Sequence, residues 1–173
     1  MEPLKIRRII IIAVLTFFVL WSTHVLAQVE ATDARGVTRV FALTTSDSAI
    51  YSNSSGAFEL MPSTELTINL RTDSMLVITF SARGSVAPPS DTRIPIVFVK
   101  CEIDGIPAEP NFNSVEFLYP QFCCDTRSFT WVVHSAEAGT HTIKILWGMG
   151  NPTLAVVTNR TLVVEAARLP LFP

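Results

Sequence analysis

Between Ser128 and Trp147 the side chains alternate in a way that only an extended backbone can use. Phe129, Trp131 and Val133 are spaced by Ser128, Thr130 and Val132, while Ile143, Ile145 and Trp147 are spaced by Thr142, Lys144 and Leu146. Successive side chains of a strand point to opposite faces, so a period of two puts each set on one side. Phe129, Trp131, Val133, Ile143, Ile145 and Trp147 are therefore the expected core of this region. The break between the runs, Glu137-Ala138-Gly139, fits a three-residue hairpin loop with Gly139 where positive φ is needed. In that register Val133 faces Ile143, Trp131 faces Ile145 and Phe129 faces Trp147. A one-residue slip would set Trp131 against Lys144 and turn a whole strand over. The pairing requires that both strands share a sheet.

The same punctuation runs through the chain. Strands are expected at 37–43, at Ile50-Tyr51 as a short edge, at 58–61, 66–70, 75–82, 94–103 and 115–119, and at 153–157 and 160–165 around Thr158-Asn159. Asp104-Gly105 reads as a tight turn, and Gly148, Gly150 and Asn151-Pro152 as a turn cluster. Beyond residue 28 no apolar pattern of period 3.6 has useful length. About nine short strands separated by turns define an all-β chain, a single antiparallel β-sandwich or barrel.

The N-terminus has a different character. Lys5, Arg7 and Arg8 precede an apolar run from Ile9 to Trp21, followed by Val25-Leu26-Ala27. Charged, apolar and small residues in that order mark a secretory signal peptide, helical in its apolar part, with cleavage between Ala27 and Gln28. The apolar run is shorter than the roughly 20 residues of a membrane span. An uncleaved anchor, with the domain outside the membrane, is the alternative. Residues 1–27 are thus expected as signal and 28–173 as one domain with flexible ends at 28–36 and 167–173. Removing Glu2, Lys5, Arg7 and Arg8 leaves 10 basic and 14 acidic residues, a formal −4. A mildly acidic domain without a basic stripe argues against nucleic acid and against an anionic membrane after cleavage.

An exported domain meets an oxidising compartment, so Cys101, Cys123 and Cys124 are disulfide candidates. A bridge from Cys101 to either neighbour would contribute about 3 kcal/mol by chain entropy. The trio lacks a CxxC pair and a neighbouring His, and is not read as a metal site. His134 and His141 flank one turn and fall on opposite faces in the hairpin register, which disfavours a metal site completed by Glu137. A Ser135, His141 and Asp125 trio lacks a GxSxG elbow. Glu102 and Asp104 share a face at a strand end, in reach of acid/base chemistry or Ca²⁺, yet read better as a solvated end. Trp131 and Trp147 have the parity of the core. Phe112, Tyr119 and Phe122, in Pro-containing loops, are the expected exposed contacts. Asn53-Ser54-Ser55 and Asn159-Arg160-Thr161 match the N-glycosylation pattern.

Gly139-Thr140-His141-Thr142-Ile143-Lys144-Ile145-Leu146-Trp147, the closing Arg160-Thr161-Leu162-Val163-Val164, and the Ile103-Asp104-Gly105 turn resemble a pattern in uncharacterised exported prokaryotic jelly-roll proteins. The architecture is similar to tumour-necrosis-factor-like and phage-fibre jelly rolls, which often trimerise. The resemblance implies a jelly roll and export, and carries no activity, cofactor or site residue. The expected function is a secreted or periplasmic, non-catalytic module that binds a glycan or a protein through loops 85–95 and 111–124. A structural subunit of a homo-oligomer is the alternative, and a small metal-dependent or hydrolytic enzyme is disfavoured.

Overall fold

The alternating runs all become strands, and no helix occurs among the described residues. The computed structural model describes residues 25–33, 36–51, 57–87, 96–110, 114–118, 125–150 and 154–169, with the backbone alone for 25–33 and 36–38. Among the described residues eleven strands follow in chain order: β1 (Val25–Asp33), β2 (Gly36–Thr45), β3 (Ala49–Tyr51), β4 (Glu59–Leu70), β5 (Ser74–Val86), β6 (Val97–Ile103), β7 (Ile106–Pro107), β8 (Val115–Leu118), β9 (Asp125–Ala136), β10 (Gly139–Met149) and β11 (Ala155–Arg168). One sheet has the order β1-β2-β11-β5-β9, with β3 also on β11. The other has the order β4-β10-β6-β7, with β8 also on β6.

Eight of these strands pair in a nested way. β2 pairs β11, β4 pairs β10, β5 pairs β9 and β6 pairs β8, all antiparallel. The chain is therefore one long hairpin with its tip at β6 and β8, rolled so that successive pairs fall in opposite sheets. That is a jelly roll, the double-sheet arrangement of eight antiparallel strands. The sheets meet in one core. Tyr51 of the six-stranded sheet stands edge-on to Trp147 of the five-stranded sheet, ring centroids 5.1 Å apart, and Phe80 meets Phe117 at 5.4 Å.

The hairpin expected between the two aromatic runs does not form, because β9 and β10 lie in opposite sheets. Phe129, Trp131 and Val133 pair instead with Phe80, Ile78 and Leu76 of β5. Ile143, Ile145 and Trp147 pair with Ile103, Cys101 and Val99 of β6. Alternation sets the face of a strand but not the sheet it joins, so the inward parity holds while the partners change. Trp131, Ile143, Ile145 and Trp147 are buried. Phe129 and Val133, on the edge strand β9, are partly buried against the core.

Two expected breaks turn out to be bulges inside single strands. The 58–61 and 66–70 runs join as β4, whose pairing with β10 shifts between Lys144 and Leu146. Ser63 takes φ 57° there, and the buried Thr64 hydroxyl donates to the Met61 carbonyl at 2.7 Å, with the Ile145 carbonyl at 3.1 Å. Likewise 153–157 and 160–165 belong to β11, with a register shift against β5 between Thr158 and Thr161 and Asn159 at φ 48°. An extra residue bends a strand without ending it. Arg160 turns inward at this bulge and donates from one guanidinium nitrogen to the carbonyls of Val157 at 2.8 Å and Asp47 at 2.9 Å. Asp104 (φ 51°) and Gly105 (φ 82°) make the expected tight turn between β6 and β7, both positive as a type I′ hairpin requires.

At the ends of the expected domain, residues 28–33 are the last six of the nine residues of β1, paired with β2, and 167–168 close β11 against β5. Ladder pairing satisfies backbone groups that a loose tail leaves to water. The expected cleavage point lies inside β1, where Ala27 pairs with Ala42 and Gln28 with Phe41.

Replacing the fully buried Ile145 by Ala is expected to cost about 2–5 kcal/mol, and Val133→Ala on the edge strand clearly less. Urea midpoints at unchanged slope measure both.

Candidate ligand-binding cleft

A cleft of about 470 Å³ opens at one end of the sandwich, lined from three directions. The β6–β7 hairpin contributes Asp104, Ile106 and Pro107. The segment after it, Ala108 and Glu109, is held to β9 by two backbone bonds, Glu109 N–H to the Val132 carbonyl at 3.1 Å and Val132 N–H to the Glu109 carbonyl at 2.7 Å. The end of β9 and its turn add His134, Ser135, Ala136 and Glu137, and β10 adds His141. The turn is anchored from below, where Ala138 N–H donates to the Asp73 carboxylate at 2.9 Å.

His141 continues the inward row of Ile143, Ile145 and Trp147, one step beyond the core. Its Nδ1 lies 2.7 Å from Asp104 Oδ2 and its Nε2 2.8 Å from the Glu137 backbone carbonyl. Asp104 Oδ1 also accepts the Thr142 N–H at 2.8 Å. Burial alone would lower the His141 pKa, but the Asp104 carboxylate and the Glu137 carbonyl outweigh it and raise the pKa above the ordinary value. The Thr142 N–H bond holds the Asp104 carboxyl below its usual range; burial opposes this and His141 reinforces it. Across the cleft His134 Nε2 sits 3.2 Å from Glu109 Oε2, with side chains 74% and 66% exposed. An ion pair so open to water contributes little.

The residues singled out in the sequence are distributed unevenly. His134 and His141 line the same cleft rather than opposite faces, because β9 and β10 converge on it from different sheets. No group of three metal-ligating side chains occurs among the described residues, and Glu137 meets His141 through its backbone. Ser135 lies in the cleft, but Asp125 is ten residues away along β9, about 33 Å at strand rise, and pairs with Arg127. Glu102 pairs with Lys100 at 2.8 Å on the outer face, while the turn sends Asp104 to β10. Trp131 and Trp147 are core, so neither offers a stacking face; Trp147 Nε1 has no hydrogen-bond partner. Phe112, Tyr119, Phe122, Cys123, Cys124 and Asn53, and most of the expected contact loops, lie outside the described residues. Glu109, Ile106 and Pro107 carry no sequence signal of their own. Only the fold brings them beside the histidines.

No family model and no curated protein matches the sequence. Among solved structures, one of infectious bursal disease virus, Gx strain, shares 12% identity at a TM-score of 0.41, over 85% of this chain and 43% of the virus chain. The CBM36-1 domain of a multidomain xylanase from the hindgut metagenome of Trinervitermes trinervoides shares 12% at a TM-score of 0.34, over 87% of this chain and 94% of that domain. The enzymatically active domain of bacteriophage CBA120 tailspike protein 4 shares 9% at 0.27, over 82% and 18%. The chain spans less than half the length of the virus chain. At these scores the jelly-roll assignment rests on the strand order of the chain itself.

Cys101 is a free thiol buried in the core on β6, opposite Ile145, while Cys123 and Cys124 lie outside the described residues. Burial first, then the nearby Glu102 charge, push its pKa up to about 12. The thiolate is the reactive form, so Cys101 is expected to resist a thiol reagent at pH 8 in the native protein and to react once unfolded. Peptide mapping by mass spectrometry distinguishes it from Cys123 and Cys124.

Proposed function

We propose that this chain is an exported, non-catalytic binding module that holds a basic segment of a partner protein in the cleft. The observation that carries the reading is the lining itself. Ile103, Ile106, Pro107, Val132, Val133 and Ala136 give it an apolar body, and carboxylates stand on its walls. Asp104 and His141 cancel within their own contact, while Glu137, and Glu109 in its water-exposed 3.2 Å contact with His134, stand where a cation can meet them. A lysine or arginine offers an aliphatic stem for the apolar part and a charged head for the carboxylates. A glycan site of the stacking kind needs an exposed aromatic face, and none of the described lining residues is aromatic. Catalysis is disfavoured because both ring nitrogens of His141 are occupied, so Ser135 lacks a base there. Export is supported by Lys5, Arg7 and Arg8 before the apolar run and by Ala27 at its end; the resemblance to exported jelly rolls points the same way.

A second reading, assembly into a homo-oligomer, is favoured by one patch. Ile50, 62% exposed, pairs with Val156 on the outer face of the six-stranded sheet, beside Leu154 at 45%. Under that reading light scattering gives a multiple of the chain mass that falls to the monomer in Ile50→Glu.

A ligand that binds only the native state raises its melting temperature. Hexalysine is therefore expected to raise Tm by several degrees where hexaglutamate at equal ionic strength does not, and the Glu109→Gln/Glu137→Gln double variant to lose the shift. Equal responses to both peptides, or a shift the double variant keeps, would overturn the proposal.

A further inference from the structure

We propose that His141 is a proton-operated clasp that sets the position of the β9–β10 turn and so regulates the cleft. The clasp stands on hydrogen-bond geometry; only its consequence for binding rests on the cleft being the ligand site.

Both ring nitrogens face acceptors, the Asp104 carboxylate at 2.7 Å and the Glu137 carbonyl at 2.8 Å. A neutral imidazole has one N–H and one lone pair, so only the imidazolium can donate to both oxygens. On losing a proton the ring keeps Nδ1–H toward Asp104, the charged acceptor. Nε2 is then left with its lone pair against the lone pairs of the Glu137 carbonyl. That contact turns repulsive; the turn keeps Ala138 N–H on Asp73 and, at its two ends, the ladder pairs of Ala136 with Ser74 and Gly139 with Leu70. The turn lifts, and the Glu137 side chain moves away from the apolar floor.

The surroundings favour this assignment. On the inward side the charged and titratable groups near the ring are Asp104 on the β6–β7 turn, Glu137 on its own turn, Asp73 beneath it, and His134 with Glu109 on the facing wall. The nearest charges on the neighbouring strands, Glu65 of β4 and Glu102 of β6, are both opposite Lys144 and so have its outward parity. Glu65 lies 3.4 Å from Lys144 and Glu102 lies 2.8 Å from Lys100. Two cations lie near Thr140 in a separate cleft, Arg71 after β4 and the buried Arg39 of β2, which donates to the Asn69 carbonyl at 3.2 Å. Every group facing the ring directly is an oxygen acceptor, and the raised pKa agrees with this.

The signs follow from linkage. His141, raised in the folded state, contributes fully below its ordinary 6.5 and loses its contribution as pH rises through the folded value. Asp104, lowered, contributes above its ordinary 3.8 and loses it as pH falls through the folded value. The clasp is therefore closed in mildly acidic solution and opens on the alkaline side.

The test is a pH series from 5 to 9 on the full chain. It combines nitrogen-15 NMR of the His141 ring with amide exchange of residues 138–142, expressed as protection relative to the unstructured chain. The expected result is two ring protons at pH 5.5 and a loss of protection of tenfold or more at Ala138, with the same midpoint as the ring. His134→Gln is expected to keep that profile and His141→Gln to abolish it. Should His141→Gln not fold, Asp104→Asn, which removes the charge that retains the second proton, is expected to move the midpoint down. A single ring proton at pH 5.5, or protection that stays flat through the ring titration, would overturn the clasp. Hexalysine binding measured over the same series separates the two proposals. A titrating turn with no peptide binding at any pH keeps the clasp and removes the binding reading. Peptide binding with a flat turn does the reverse.

Discussion

Everything in this molecule depends on two sheets sealing one another, and the seal is tightest where β10 crosses the core. Ile143, Ile145 and Trp147 have no exposed surface, since β4 and β6 flank the strand and the six-stranded sheet covers it. Apolar surface removed from water is the main driving term of folding, and here it needs both sheets at once. Neither sheet would bury its inner row alone, so the nested strand pairs and the interleaved aromatic contacts of Tyr51 with Trp147 and Phe80 with Phe117 form as a unit.

The polar exceptions to that seal sit where the ladders are irregular. Thr64 enters the core at the bulge of β4 and is matched to carbonyls on both sides. Arg160 enters at the bulge of β11 and also meets carbonyls, with its Nε left without a partner; the loss of solvation lowers its pKa. A buried polar group costs free energy unless it is bonded, and bulges are where a ladder has spare carbonyls to offer. The same logic places His141. It occupies an inward position at the mouth of the sandwich, where Asp104 and the Glu137 carbonyl replace the apolar neighbours found deeper in the row.

How much of this was legible in the sequence depends on the range of each signal. Face is local, so the alternation of Phe129, Trp131, Ile143, Ile145 and Trp147 gave the inward row, and Asp104-Gly105 gave a turn whose φ values the structure reproduces. Sheet membership is not local: Glu137-Ala138-Gly139 could close a hairpin or carry the chain across to the other sheet, and the chain crosses. Pro62-Ser63 and Thr158-Asn159 looked like strand ends because the same residue types serve turns and bulges; here Ser63 and Asn159 take the positive φ inside a continuing strand. The cleft was half visible. His134 and His141 stood out, but their acidic and apolar companions come from a hairpin more than twenty residues upstream, and no spacing rule joins Glu109 to Val132.

Nested pairing also constrains the order in which the chain can be completed. The outermost pair of the β2–β11 ladder joins Thr38 to Ala167, 129 residues apart (167 − 38), so β2 cannot find its inner neighbour until β11 has been synthesised. Until then β2 keeps an open ladder edge and its inward Phe41 and Leu43 lack their cover, a state prone to pairing with other chains. A chain shortened by its final strand would lose the element that β2, β3 and β5 all pair with. Vectorial synthesis thus delivers the keystone after the three strands it joins, and this architecture disfavours closing the sandwich piece by piece.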